Sequence, residues 1–469
     1  MIAREKILKG FETAEARWAR FGPYYAMFPL EFAFDVVENY SKKGDYIIDP
    51  FAGRCSSIYA GGVLGRNSLG IEINPVGWLY GTVKLQPAEK EEVVDRLLEI
   101  YGKRNYYYAS IEKMPEFYRI CYCDEVLKFL LAARTHLDWK NNNVDATLMS
   151  ILLIYLHAKL GEGLSNQMRM TKSMGMNYSI QWWKKNNMTS PPEINPCDFI
   201  LKKIEWRYEK GKPKVTESAV VFGDSSNELV HIAERAINND IKFSLLFTSP
   251  PYCSITDYHS DQWLRLWLLG GSENPQSLKD KHKGRFVNKQ EYYDLLDNVF
   301  GLCAKMMKRD STVYVRTDKR EFTFNSTLEI LKKHFPNHSV KIEEKPLTKD
   351  TKTQTKLYGN KTMKPGEVDI IMTRKGANPT ATHIAKSHKP TRKPKLGKEC
   401  ACSNAHLTDN QHERQKASTQ QVFKPIKLSP KLGTYLEGGL FFDLLNNSIK
   451  KGILNPAVFF ISKVLSIAS

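Results

Sequence analysis

The stretch Asp45 to Gly53, DYIIDPFAG, decides the fold. Its apolar centre, Tyr46-Ile47-Ile48, is a short run suited to a buried strand, and Pro50 then removes a backbone donor, so the chain must turn. Helical spacing restarts over Ser56 to Leu64, with Ser56 or Ser57 expected as the cap. Ser68 to Ile73 (SLGIEI) reads as the next strand, and Leu30 to Tyr40 (LEFAFDVVENY), upstream, as an amphipathic helix. Strands alternating with helices in this way predict a parallel sheet with helices on both faces. A strand, a glycine turn and a helix in sequence also let backbone N–H groups and a helix N-terminus approach a ligand closely. Glu72 closes the second strand some 20 residues later, where a carboxylate can accept both hydroxyls of a ribose. A surface charge at a strand end is the plainer account of the same residue.

Further along, the rhythm changes. From about Gln86 to Pro213, segments such as EEVVDRLLEIY, DEVLKFLLAART and VDATLMSILLIYLHAKL carry helical periodicity with little strand signal, which predicts a helical insertion. The α/β alternation resumes at Ala219. Strands are expected at 219–224, 243–249, 311–317, 339–345 and 367–373, with helices at Glu228–Ile237, Glu291–Met307 and Ser326–His334. With the two early strands this makes seven, and the last two, joined without a helix, predict an antiparallel hairpin at one edge. The strand FSLLF runs into Thr248-Ser249-Pro250-Pro251-Tyr252, whose consecutive prolines fix an extended turn at the strand's carboxyl end, where α/β sheets bind ligands. Ser190-Pro191-Pro192-Glu193 has the same prolines without an apolar strand before them and reads as a plain linker.

With 469 residues, two or three domains are expected, and 42% hydrophobic with 26% charged residues belongs to a globular chain. The net charge of +18 suggests a polyanionic partner. Eight dispersed cysteines, with only C-x-C pairs at 121/123 and 400/402, predict reduced thiols and no metal site. The charged start MIAREKILKG predicts no signal peptide, and the apolar end from Ile453, short and interrupted by Pro456 and Lys463, predicts no membrane span. From Lys375 onward, 15 Lys and Arg residues face five acidic ones, which reads as a solvated basic tail.

Taken together, DPFAG, GIEINP and TSPPY resemble the amino-methylating DNA methyltransferases, which act on N4 of cytosine or N6 of adenine. The serine form of the catalytic turn is typical of the N4-cytosine group. The resemblance covers roughly residues 14–86 and 216–375. It implies a doubly wound, seven-stranded, Rossmann-like sheet and S-adenosylmethionine as cofactor. Residues 1–86 and 216–375 would then form the two parts of the catalytic domain, 87–215 a helical insertion for target recognition, and 376–469 a basic linker and tail. PYYAMFPLE, from Pro23 to Glu31, is similar to the segment that precedes the family's cofactor loop, so Phe28 would flank the methionine part of the cofactor. Asp49, Pro50, Phe51, Ala52, Gly53 and Glu72 would complete that site, and Asp224 of GDSSNEL would face the adenine. Two departures stand out: Cys55 replaces a common second glycine of the loop, and Met27 a frequent lysine. The cofactor motifs also precede the catalytic turn, whereas many N4-cytosine enzymes have the opposite order.

In the catalytic turn the resemblance implies Ser249, Pro250, Pro251 and Tyr252, with Tyr252 stacking on an extruded base while the Ser249 hydroxyl and the Pro250 carbonyl hold its amino group. Asp257, Tyr258, His259 and Asp261 would line the base pocket, and Trp263, Leu266 and Trp267 fill the core behind it. In the insertion, Arg169, Lys172, Trp182, Trp183, Lys184 and Lys185 are candidates for phosphate contacts or base stacking, against the alternative of a helical scaffold. The expected partner is double-stranded DNA, with room for a cognate restriction endonuclease and no membrane, in a prokaryotic cytoplasm at the nucleoid. Rival readings are an N6-adenine methyltransferase, an RNA base methyltransferase and a catalytically silent DNA-binding subunit.

Overall fold

Strand β1 (Tyr46–Asp49) ends just before Pro50, which cannot donate to a ladder, and this short buried strand lies in the interior of the sheet. The computed structural model describes residues 4–24, 27–253, 258–275, 288–345 and 366–375. Within these, β2 (Asn67–Glu72) and β3 (Ser218–Phe222) lie to one side of β1. On the other side lie β4 (Phe243–Thr248), β5 (Met307–Asp318), β7 (Glu367–Arg374) and β6 (His338–Lys345), giving the order β3-β2-β1-β4-β5-β7-β6. The first five strands in that row pair in parallel, and β7 runs antiparallel to both β5 and β6. The chain winds outward from β1 in one direction and from β4 in the other, so the switch point falls between their carboxyl ends. The expected seven-stranded, doubly wound sheet with an antiparallel edge is therefore present, with a helical insertion between β2 and β3.

Alternate residues of the central strands feed two cores. Ile47, Leu245, Phe247, Tyr314 and Ile371 pack against the Leu30–Tyr40, Ser56–Val63 and Pro75–Leu85 helices. Ile48, Leu69, Leu246, Val313, Val315 and Ile370 pack on the opposite face against the Ser225–Asn238, Lys289–Met306 and Glu321–His334 helices. Residues 90–208 contain the Lys90–Gly102, Asp124–His136, Asn143–Tyr155, Met176–Lys185 and Pro196–Tyr208 helices, which extend the first core.

One local expectation is corrected. The helix after the glycine turn is capped by neither serine: Cys55 is its N-cap, in the left-handed region at φ 61° and ψ 44°, with no side-chain cap bond. Ser57 is inside the helix and donates to Asp49. The six described cysteines are buried free thiols, and among the described residues no helix is long and apolar enough to cross a membrane. Asp257 and the 376–469 tail lie outside the described residues.

Candidate functional site

The glycine loop and the proline turn meet at the switch point because β1 and β4 are neighbours. Asp49, 1% exposed, ends β1, and its carboxylate accepts from the Thr248 hydroxyl at 2.6 Å, from the Phe51 N–H at 3.1 Å and from Ser57. Thr248 is the last residue before Ser249, so Asp49 ties the two motifs together. Burial pushes its carboxyl up to about 6, against the pull of those three donors.

Across the loop, Glu72 ends β2, 7% exposed. Its two oxygens accept from the Gly53 N–H at 2.6 Å and the Asn74 N–H at 2.7 Å. Burial raises its carboxyl to about 8. A carboxylate has about four acceptor positions, so two remain for hydroxyl donors. Gly53 stands at φ 54°, and a methyl group built on it would meet nothing within 4 Å, so there is room for a ligand to approach the loop's backbone. Ser225 donates to the Pro50 carbonyl, which holds the start of the Ser225–Asn238 helix against the loop. Asp224 caps that helix, accepting from the Ser226 N–H at 2.9 Å. These residues fit an adenosyl group: an open glycine loop, a buried acid with spare acceptors at the β2 end, and a second acid at the β3 end. Phe28 is buried and stacks on Phe247 of β4, with ring centroids 4.8 Å apart and planes 8° from parallel.

The family's second glycine is explained by its replacement. Position 55 takes a left-handed conformation that glycine adopts without penalty, and here a cysteine adopts it. Its thiol is fully buried, and burial pushes it well above its ordinary value, as befits a packed group rather than a nucleophile. Room for it comes from Gly81 on the facing Pro75–Leu85 helix, where an added Cβ would lie 2.4 Å from the Cys55 Sγ.

On the other side of the switch point, Pro250 and Pro251 are buried while Ser249 and Tyr252 are half-buried. The groups that bear on the Tyr252 phenol are Glu367, the first residue of β7, Ser249, Arg316 and Asp318. Burial, then the Glu367 charge, drives the phenol well above its ordinary value. Glu367 lies 3.6 Å from Arg316, which makes a two-pronged pair with Asp369 at 2.6 and 2.8 Å. Asp369 is completely buried and also accepts from the Tyr314 hydroxyl at 2.8 Å, and the Arg316 guanidinium sits 3.5 Å over the Phe32 ring. Arg320, itself paired with Asp318 at 2.6 Å, donates to the Cys253 carbonyl just past the tyrosine. No short motif announced Arg316, Glu367 and Asp369. An arginine and two acids inside strands expected to be apolar were the available signal.

The helix that follows the turn, Tyr258–Leu268, is fastened to the insertion. Trp263 and Trp267 are core residues, and Leu266 packs against the same core. Arg265, completely buried, donates to the Leu153 carbonyl at 2.9 Å, to Gln262 at 2.6 Å and to the Met170 carbonyl. Asp261 is buried and paired with Lys172, so neither is presented to a ligand as a free charge. Trp183 is completely buried, its indole N–H bound to the Gln167 carbonyl at 2.8 Å, which removes it from the candidate nucleic-acid contacts. Lys184 pairs with Glu116 at 2.7 Å. Tyr178, Trp182 and Lys185, spaced four and three apart, are exposed along one side of the Met176–Lys185 helix, and Arg169 is exposed nearby in sequence.

Residues 5–76 match a family model described as DNA methylase. The Type II methyltransferase M.BsoBI of Geobacillus stearothermophilus is 27% identical over 288 residues, 55% of this chain and 53% of that protein. The Type II methyltransferase M.MthZI of Methanothermobacter thermautotrophicus is 39% identical over 49 residues, 10% of this chain and 14% of its own length. The chain thus spans about half or less of the length of these relatives. Among solved structures, the rRNA methyltransferase aviRa from Streptomyces viridochromogenes aligns over 80% of this chain and 94% of its own, at 10% identity and a TM-score of 0.27, too remote a likeness to bear on function. In its motifs, its sheet order and residues 5–76 the chain is similar to the amino-methylating DNA methyltransferases, a family whose cofactor is S-adenosylmethionine.

Proposed function

We propose that this protein transfers a methyl group to the exocyclic amino nitrogen of a base extruded from double-stranded DNA, and that the base is cytosine, methylated at N4. The observation that carries this reading is the 2.6 Å bond from Thr248 to Asp49, which sets the Ser249–Tyr252 turn beside the open glycine loop. Asp49 to Gly53, Glu72, Asp224 and Phe28 would hold S-adenosylmethionine, which supplies a methyl group already activated on a sulfonium. An exocyclic amino group is a weak nucleophile because its lone pair is delocalised into the ring. The Ser249 hydroxyl and the Pro250 carbonyl accept its two N–H bonds and draw the nitrogen towards tetrahedral geometry. The Tyr252 ring stacks on the base. No covalent bond to the protein is needed.

The serine in the turn supports N4 of cytosine, and the Type II methyltransferase names of both relatives support methylation at a defined site; a cognate restriction endonuclease and a place in the prokaryotic cytoplasm at the nucleoid belong to the same reading. Target recognition falls to the insertion, through Tyr178, Trp182, Lys185 and Arg169. A Lys185→Ala variant should weaken DNA binding modestly and reduce the salt slope by about 0.9. The deciding experiment is methylation of unmodified DNA followed by digestion to nucleosides and mass analysis. N4-methyl-2′-deoxycytidine supports the reading. N6-methyl-2′-deoxyadenosine moves the chain to the sister specificity, and an unmodified digest overturns the assignment.

A further inference from the structure

Arg320 lies two residues beyond the end of β5 and directly before the Glu321–His334 helix. It belongs to no motif, yet it touches the catalytic turn. A guanidinium has five N–H donors to place. Here the Nε donor and one on Nη2 go to a single oxygen of Asp318, at 2.8 and 2.6 Å, and the second on Nη2 goes to the Cys253 carbonyl, one residue past Tyr252. Asp318 is buried, and its other oxygen accepts from the Arg320 backbone N–H at 3.1 Å. The side chain is thus fixed by an acid of its own segment. The two donors left over are both on Nη1. That nitrogen has no hydrogen-bond partner among the described residues and is not buried, and the side chain as a whole is 34% exposed.

The sheet order says which ligand meets this free end. β4 and its turn stand between β5 and the glycine loop at the end of β1, so Arg320 is on the side of the turn away from the cofactor residues. The ligand on that side is the nucleic acid, whose charged groups are its phosphates. A base extruded onto Tyr252 brings its sugar and flanking phosphates with it, and the backbone must be held while the base is out of the stack. Neighbouring cations are already engaged: Lys319 is paired with Glu344 on β6, and Arg316 with Asp369 on β7. We propose that Arg320 binds a phosphate flanking the extruded base through Nη1, with Asp318 and the Cys253 carbonyl as its mount. This rests on the methyltransferase reading above and adds to it a contact that sets where the nucleotide backbone runs. Such a contact fixes position and carries no sequence information.

The test uses the full chain, S-adenosylmethionine at saturation and unmethylated plasmid DNA, with single-turnover rates measured against DNA concentration at several salt concentrations. R320A should raise the DNA concentration for half-maximal rate about tenfold, the scale of one hydrogen bond to a charged group, with cofactor affinity by calorimetry unchanged. The dependence of that concentration on salt, on logarithmic axes, should become shallower by about 0.9, because one counterion fewer is released. R320K keeps the charge without the fork and should restore the slope. A slower rate at saturating DNA, with half-maximal concentration and slope unchanged, overturns the proposal, since Arg320 then only braces the turn. A second measurement does not depend on the variants folding. Once sequencing of the methylated plasmid has located the modified base, the wild-type chain is bound to duplexes carrying a neutral methylphosphonate on one side of that base or the other. One of the two should bind about tenfold more weakly, and R320A should show no such difference. Full wild-type affinity for both duplexes overturns the phosphate contact and leaves the methyltransferase reading standing. If the wild-type chain leaves plasmid DNA unmodified, that reading falls, and the contact with it.

Discussion

The two sides of the switch point are built differently. On the loop side, most of the bonds that shape the site lie within a motif or between the two neighbouring strand ends, Glu72 to Gly53 and Asn74, Asp49 to Phe51 and Ser57, with Thr248 to Asp49 and Ser225 to Pro50 as the long-range additions. On the turn side, the bond that holds Cys253 comes from Arg320, itself paired with Asp318 at the end of β5, and the charges that act on Tyr252 belong to Arg316, Asp318 and Glu367, all more than 60 residues downstream. The loop is self-contained and open above its backbone, as a site for a large ligand must be. The turn is braced from outside by a buried ion network. A site for binding can be local, whereas a site for chemistry needs its few polar atoms aimed from several directions.

The largest expected effect separates the two sides outright. S249A and Y252A should abolish methyl transfer with cofactor affinity intact, whereas E72A should first weaken cofactor binding, both read by calorimetry and radiolabel transfer. D49A should belong to neither class, because Asp49 bridges the sides through Thr248, and its loss should lower both affinity and rate. Next in size is D369A. It leaves the Arg316 guanidinium buried without its principal partner, and stability should drop by roughly 3–5 kcal/mol in urea unfolding. A small change would mean that the turn side is braced by packing alone.

A smaller effect tests the loop's compactness. G81A should cost about 1–3 kcal/mol by driving a methyl group into Cys55. C55G/G81A should recover much of that loss, since glycine relieves both the contact and the left-handed strain at position 55. The mildest prediction concerns pH. Glu72 is raised from 4.5 to about 8 in the fold, so the folded state holds its proton where the unfolded chain has released it. The stability of the neutral carboxyl is fully present below pH 4.5 and is lost as pH rises through about 8. Asp49 adds the same trend between 3.8 and about 6. Without cofactor, the urea midpoint should therefore decline across this range, and E72Q should flatten its upper half.

The same contrast governs what could be read from the sequence. The sheet, its direction and its edge hairpin were legible because alternating burial and proline punctuation are local, and the observed strands begin and end within a few residues of the expected ones. Asp49, Glu72 and the proline turn were legible for the same reason. Cys55 was visible as a departure from the family, but its companion Gly81 was not, since only packing brings residues 55 and 81 together. Trp183 was misjudged because a Trp-Trp pair on an amphipathic helix has one ring on each side, and sequence does not say which side is buried. Arg316, Glu367 and Asp369 carried no pattern, for their partnership exists only once β7 inserts between β5 and β6.

Arg265 has a consequence for engineering. Its completely buried guanidinium joins the helix beyond the proline turn to carbonyls at 153 and 170, beside the Lys172–Asp261 pair and the Trp263 indole bond to the Met174 carbonyl. A graft that exchanges residues 87–215 for the equivalent segment of a relative, to test the proposed role in target recognition, would have to restore carbonyls at both places or leave that cation stranded. Chimeras should therefore carry the 258–268 helix along with the grafted segment, as one cassette.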